Sequence, residues 1–380
     1  MKLRRIALSL AAPLAAFVFA VAVSSLALWA SGNSPYTAWT AMISYADEPS
    51  RVVSIVNRAI PLYVSALAVG FAFKMNLFNI GVEGQYTLAA LIAAVVGASV
   101  ELPAPLHVAL ICIVAMAVGA AWSGVAGVLK AYRGVHEVIS TIMLNAIVTA
   151  GLVSYLLNIG MRDEAETSIL KTDQIPASGL MPDLNGWVEA LGFELKPGTH
   201  LQGFVLVAAL LGVLFYVVVW KTRFGYDLRA SGTNPWAALT SGVNPKGMII
   251  KTMLVSGALA GLVGMSQLLG FFERYHQDFP TGLGFAGIAV ALLGRNHPIG
   301  MAFGALLFGF LSVSAQILDL EDIPKEIIDI MQAAILLSVV VSYEIVRRLI
   351  ATSEAKAAAE ATDGAATQPA RADVLQEAGE

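Results

Sequence analysis

Cysteine is almost absent from this chain of 380 residues. The single Cys112 lies inside an apolar run, so no internal disulfide forms and no redox role is implied. Charge is also scarce, at 13% of residues, about half the share in soluble domains. There is no Gly-x-Ser-x-Gly, no His-Glu-x-x-His and no cysteine pair, which removes the common hydrolase and metal-site signatures. The absence of a Gly-x-x-x-x-Gly-Lys-Ser/Thr loop means that this chain does not itself hydrolyse ATP. No nucleic-acid module is present. A net charge of −4 decides little.

What is abundant is apolar sequence. Hydrophobic residues make up 57% of the chain, and the mean hydropathy is +0.73. Crossing a bilayer takes about 20 residues. Uncharged runs of that length occur at Ile6–Ala30, Leu102–Leu129, Val138–Met161, Pro197–Trp220, Thr252–Phe272 and Pro298–Leu318. The runs are continuous and do not alternate, which excludes a strand barrel. The fold class is therefore all-α, a polytopic transmembrane helical bundle. Four weaker segments bring the total to about ten, at 6–30, 52–73, 77–100, 105–129, 136–158, 201–220, 250–272, 282–294, 298–318 and 326–346. The piece at 282–294 is short and reads as a half-helix or re-entrant segment. Asn57 and Arg58 fall near the outer end of the second segment, within reach of headgroups.

Met1-Lys-Leu-Arg-Arg5 before an apolar stretch imitates a signal peptide, but the stretch is too long and reads as an uncleaved first span. With that end in the cytosol, Lys74, Lys130, Arg133, Arg295, Arg347 and Arg348 all fall in cytosolic turns. The 221–251 loop joins them, with five basic residues against Asp227 alone. The other long loop, 160–200, is dominated by Asp163, Glu164, Glu166, Asp173, Asp183, Glu189 and Glu194. This asymmetry follows the positive-inside rule and places both termini in the cytosol. Residues 1–350 read as the membrane domain. The tail 351–380, rich in Ala, Glu, Thr and Gln without aromatics, reads as disordered or loosely helical.

Polar residues inside the spans must find partners or water. Asn76, Asn79, Glu83 and Gln85 cluster around Gly81 and Gly84, where glycine frees the backbone and asparagine caps a new helix start. They fit a broken helix lining a solute path, and equally a helix joint whose polar groups satisfy one another. Glu137, Thr141 and Asn145 share a face at four-residue spacing, and Asn145 is a candidate for the path. Gln267, also a path candidate, Gln316 and Gln332 are lone amides that suit helix packing. Gly257 with Gly261, and Gly300 with Gly304, suit close helix approach. The stretches opening at Asn79 and Gly284 form a weak internal repeat of glycine-interrupted segments, a pattern that points to a transport pathway.

The 221–251 loop carries two helix-start signals. In Gly232-Thr-Asn234-Pro235-Trp236-Ala237-Ala238-Leu-Thr-Ser-Gly242, Asn234 caps a helix, Pro235 occupies its first turn, and Gly242 closes it in the left-handed conformation. Asn244-Pro245 repeats the start signal for the next span. A helix this short is unstable alone. It suits docking into a partner; an ordinary interhelical turn is the plainer reading.

Three stretches together resemble the permease family of bacterial ABC importers for nucleosides, monosaccharides and branched-chain amino acids. They are Phe73-Lys-Met-Asn-Leu-Phe-Asn-Ile-Gly-Val-Glu-Gly-Gln85, His136-Glu-Val-Ile-Ser-Thr-Ile-Met-Leu-Asn145 and Gly232–Asn244. The first two, and the Gly-Leu-Gly-Phe-Ala-Gly run at 282–298, are most similar to the nucleoside (basic membrane protein-associated) branch. The resemblance covers about residues 50–348. It implies a bacterial inner-membrane subunit without enzymatic activity or cofactor of its own. A separate ATP-binding subunit would carry ATP and magnesium. A second, different permease subunit would complete a heterodimer, and an extracytoplasmic binding protein would deliver solute to the face carrying 33–50, 162–196 and 273–278. It also implies that Gly232–Asn244 is the coupling helix, with Gly232, Asn234, Pro235, Trp236, Ala237, Ala238, Gly242 and Asn244 contacting the ATPase. A monosaccharide or branched-chain amino acid is the alternative solute, and a stand-alone ion-coupled transporter is the rival from another class. A membrane enzyme would need a paired catalytic constellation, which is missing.

Overall fold

The computed structural model describes residues 18–19, 21–163, 170–320, 323–324, 326–338, 341 and 348. The basic N-terminal residues, Glu164, Glu166, Arg347, the end of the last span and the 351–380 tail lie outside them. The described helices are α1 (Val21–Ala30), α2 (Pro35–Ala46), α3 (Pro49–Phe73), α4 (Val82–Ser99), α5 (Ala104–Arg133), α6 (Glu137–Met161), α7 (Asn185–Ala190), α8 (Phe204–Lys221), α9 (Arg223–Thr233), α10 (Pro235–Thr240), α11 (Pro245–Phe272), α12 (Leu283–Leu293), α13 (Pro298–Leu320) and α14 (Ile327–Ser338). Seven of these, α3, α4, α5, α6, α8, α11 and α13, are long and apolar enough to cross a membrane. The shorter apolar helices α1, α12 and α14 fall where the sequence placed the remaining segments. Among the described residues the only β contacts are two isolated bridges, Lys171 with His276 and Asp183 with Gln202.

The chain divides into two compact units, residues 1–32 with 329–380, and residues 33–328. In the first, Ser31 Oγ donates to Leu28 O at 2.7 Å, and Ser338 Oγ donates back to Ala334 O within α14. All that follows concerns the second unit.

Its centre is α3 with α4. Almost every side chain from Ala59 to Ala72 and from Val82 to Leu91 is buried. That accords with two consecutive segments whose small and apolar residues cover every face. Around α4 pack α5, α6, α11 and α12; around α3 pack α8, α11, α12 and α13. The tightest pair is α5 with α11. A Cβ on Gly119 would lie 2.2 Å from Gly257 O, and one on Gly261 would lie 2.0 Å from Ala115 O. The Gly257/Gly261 face therefore lets two backbones touch, as the spacing predicts.

Two of the long helices are not regular. Residues Val148–Leu152 and Leu157–Met161 of α6 form π turns, as do Leu268–Phe272 of α11. A π turn widens the helix by one residue and often marks a functional region. No sequence signal predicted them.

Candidate functional site

The short helix between α9 and α11 is capped at both ends as its sequence dictates. Asn234 Oδ1 accepts from the Trp236 and Ala237 amides at 3.0 and 3.1 Å. Pro235 occupies the first turn, where its missing N–H costs nothing. At the other end Gly242 has φ +84°, its amide bonds Leu239 O, and the Val243 amide bonds Ala238 O, both at 3.0 Å. That is a Schellman closure. Asn244 Oδ1 then accepts from the Gly247 amide at 3.2 Å and starts α11. Ala238 faces inward, while Ala237 lies on the open side with Trp236 and Leu239, which are 79% and 53% exposed.

This helix has a mechanical connection to the bundle. Gly232, at the end of α9, presses on the turn after α3: a Cβ there would lie 2.7 Å from Met75 Cα. Asn76, in the left-handed conformation with φ 55°, donates from Nδ2 to Gly232 O at 2.7 Å. Asn76 thus sits at the joint between α9 and the α3–α4 turn, and its side chain points away from the other polar residues of its cluster. Beside it, Lys74 Nζ lies 4.6 Å from the Trp220 ring centre, and Trp220 packs on His297 at 5.4 Å. Burial, and then the Arg229 charge, hold the Lys74 ammonium below its ordinary pKa. Arg229 itself donates to Val219 O.

From that turn the chain is non-helical through 77–80 before α4 begins. The break in the helix is stabilised by amides. Asn79 Nδ2 donates to Gln85 Oε1 (3.0 Å) and to Ser256 Oγ (2.9 Å). Gln85 Nε2 returns a bond to Asn79 Oδ1 (2.9 Å), which also takes the Gly81 amide (3.1 Å). Ser256 Oγ donates to Ala68 O on α3 (2.7 Å). Asn145 reaches across from α6, and its Oδ1 accepts the Gly84 amide at 2.5 Å. Two amides at the start of α4, those of Gly81 and Gly84, are therefore satisfied by asparagines from different parts of the chain.

The second broken element meets the first at Glu83. This carboxylate is 4% exposed. Its Oε1 accepts the Gly282 amide at 2.6 Å and its Oε2 accepts the Gly284 amide at 2.8 Å. Both amides belong to the N-terminus of α12. Tyr86 Oη lies 2.8 Å from Glu83 Oε1 and 2.8 Å from Pro280 O. Two helix N-termini face each other here, each with positive dipole character. A carboxylate in the first turn of one, bound to the free amides of the other, opposes their repulsion. Glycine is required at 284, since a Cβ would lie 2.5 Å from Glu83 N.

Asn79, Glu83, Gln85 and Asn145 are thus all buried around the start of α4, Asn79 with Gln85 in one hydrogen-bonded group, Glu83 in a second with α12, and Asn145 on the Gly84 amide. Gln267, half-buried beside the π turn of α11, takes no part in these contacts. Ser256 and Tyr86 complete the two groups and were not singled out from the sequence. Tyr86, three residues after Glu83, stands on the same helix face and could have been found by that spacing. Ser256 offered no local signal.

At the opposite end of the bundle, residues 48–50, 170–196 and 273–278 are tied together. The Thr172 amide bonds Tyr275 O, the Ile175 amide bonds Glu273 O, and the Gln277 amide bonds Leu170 O. The Lys196 amide bonds Ser50 Oγ at 2.8 Å, and its Nζ pairs with Glu48 at 2.6 Å. Asn57 grips the loop as well, donating to His200 O and accepting from the Gln202 amide. That contact is made within the chain. Burial lowers the His276 pKa, with Asp278 opposing the shift.

Comparison with known proteins matches the chain to transport permeases. Residues 51–340 match the family described as the permease component of the branched-chain amino acid transport system. The chain is 36% identical to a guanosine ABC transporter permease protein of Bacillus subtilis over 342 residues, 88% of this chain and 93% of that one. It is 31% identical to a nucleoside ABC transporter permease protein of Lactococcus lactis, covering 92% and 95%. It is also 31% identical to a glucose ABC transporter permease protein of Haloferax volcanii, covering 87% of each.

Proposed function

The chain belongs to the permease component family of the branched-chain amino acid transport system, and on that premise we propose that it passes nucleosides from an external binding protein to the cytosol. As the permease component of an ABC transporter it is not an enzyme; the ATPase of such a transporter is a separate subunit. The observation that carries the nucleoside reading is near full-length similarity to a guanosine and a nucleoside permease. A monosaccharide is the second reading, favoured by the glucose permease at comparable coverage.

In this reading α10 faces the cytosol and seats in the ATPase subunit, which binds ATP and magnesium. Movement of α10 passes through Asn234 into α9. Gly232 and Asn76 carry it to the α3–α4 turn, and the non-helical 77–80 segment carries it to the start of α4. Glu83 then ties α4 to α12. Only 11 residues long, α12 spans about 16 Å, roughly half of a ~30 Å hydrocarbon core. Its N-terminus therefore lies near mid-depth, where α4 also begins. Two discontinuous helices meeting at mid-depth are the arrangement that solute pathways use, and a joint with two stable arrangements lets the path alternate. A second, different permease subunit completes the path. The binding protein docks on the face built from 33–50, 162–196 and 273–278. Both termini are cytosolic and the membrane is the bacterial inner membrane.

The test is uptake by proteoliposomes containing the assembled transporter and its binding protein. Labelled guanosine should accumulate on ATP addition, and excess unlabelled uridine or adenosine should compete while glucose does not. Competition by glucose alone would replace the nucleoside reading with the monosaccharide one.

A further inference from the structure

A groove of about 670 Å³ opens between residues 56–63 of α3, 205–216 of α8 and 298–306 of α13. Its walls are aliphatic and aromatic, and the only side-chain polar atoms on them are the hydroxyls of Tyr63 and Tyr216. The Tyr63 hydroxyl occupies the space left by the missing side chain of Gly212. Phe303, Ile299 and Val213 at the rim are 70%, 64% and 59% exposed. A nucleoside or a sugar would lose its hydrogen bonds to water here and find almost nothing in return, so the groove is no solute site.

One end of the groove differs from the rest. Tyr216, which lines it, stacks on Trp220 with ring centres 5.3 Å apart. Lys221 Nζ lies 5.9 Å from the Tyr216 ring, and Lys74 Nζ lies 4.6 Å from the Trp220 ring. His297 closes on both rings, at 6.0 and 5.4 Å. Lys221 and Arg223 beyond it are exposed. In the whole 221–251 stretch Asp227 is the one acidic residue. The apolar slot therefore leads into a stacked Tyr–Trp pair flanked by two ammonium groups.

The slot is long enough for an acyl chain. From Val205 to Tyr216 it runs about 16 Å along α8, its far end lies beside Asn57 and Gln202, and an acyl chain covers about half of a ~30 Å hydrocarbon core. Tyrosine and tryptophan prefer the depth of the headgroups, and lysines there attract anionic lipid.

We propose that this groove is a site for one anionic glycerophospholipid of the leaflet on the α10 side. One acyl chain enters between α3, α8 and α13 from the Tyr216 end, and the phosphate sits against Lys221 beside Tyr216 and Trp220. The occupant comes from the bilayer, because the slot opens sideways along membrane-spanning helices and its charged end carries the sign that complements a phosphodiester. The site is independent of which solute is carried. It rests the lipid against Lys74 and His297, next to the turns that receive α9, so its occupancy would stiffen that corner.

The test uses the full transporter in nanodiscs of mixed phosphatidylglycerol and phosphatidylcholine, followed by native mass spectrometry. Ala209→Trp fills the slot from its exposed wall and should remove one retained lipid per chain. Lys221→Gln should lower the preference for phosphatidylglycerol by about fivefold. A photoreactive phenylalanine analogue at position 303, in an otherwise unchanged chain, should cross-link to lipid. Unchanged retention in Ala209→Trp, equal retention of the two lipids by the parent transporter, or cross-linking to a protein chain would each overturn the assignment. Protein cross-linking would make the groove a subunit interface.

Discussion

Replacing Glu83 by glutamine tests whether the carboxylate is a strut between two half-helices or a charge in an open path. The side chain keeps its length, so packing is preserved. Of two acceptor oxygens one remains, and the new amide group points its hydrogens at the Gly282 or Gly284 amide. At least one bond of 2.6–2.8 Å to a charged acceptor is lost, worth about 1.5–3 kcal/mol. The interaction of the charge with the α12 N-terminus goes as well, at about 0.3–1 kcal/mol. A total of about 2–4 kcal/mol corresponds to a roughly 30- to 1000-fold rise in local opening, since about 1.4 kcal/mol is tenfold. Hydrogen exchange of the Gly282 and Gly284 amides in the assembled transporter reads this directly. Glu83→Ala removes both acceptors and the Tyr86 contact and should open the joint further. If Glu83→Gln leaves protection of both amides within twofold of the parent while abolishing uptake, the strut reasoning is wrong and the residue acts on solute.

Three further outcomes follow from the same contacts. Asn76→Ala removes the bond to Gly232 O, worth about 1 kcal/mol; ATPase subunit binding should persist while solute moved per ATP falls, and an unchanged ratio would remove Asn76 from the connection. Gly257→Leu places side-chain atoms where Gly119 O already stands, so the α5–α11 pair should separate and the purified subunit should unfold several degrees earlier; an unchanged midpoint would deny the close approach. His276 favours its neutral form when folded, because burial lowers its pKa. Its contribution is therefore complete above the unfolded value near 6.5 and is lost as pH falls through it. Proteolysis within 170–182 and 273–278 should be faster at pH 5.5 than at pH 7.5, and His276→Phe should remove the difference.

The apolar runs gave the spans because membrane crossing demands length and continuity, which composition alone reveals. The caps of α10 were legible for the same kind of reason: Asn234, Pro235 and Gly242 act on the backbone within a few residues of themselves. The glycine face of α11 was legible too, although its partner on α5 was not. The joint at Glu83 was visible only as a cluster. Asn79 and Gln85 satisfy each other and Tyr86 reaches Glu83 within the cluster, but its remaining partners, Gly282, Gly284, Ser256 and Asn145, lie more than 60 positions away, and no local pattern encodes such pairings. Asn76 shows the difference best. Its neighbours in sequence close the helix break, while its own side chain turns to Gly232 on α9. The π turns of α6 and α11 depend on packing rather than propensity and had no signature.

The central claim is that work done by a separate ATPase enters through α10. The direct measurement is ATP hydrolysis and guanosine uptake, recorded together, in proteoliposomes of the assembled transporter with Asn234→Ala, Pro235→Ala and Gly242→Ala combined in this chain. Hydrolysis that continues while uptake falls to background is the predicted result. Undiminished uptake by that variant, or uptake by the parent without the ATPase subunit under a proton or sodium gradient, would contradict it.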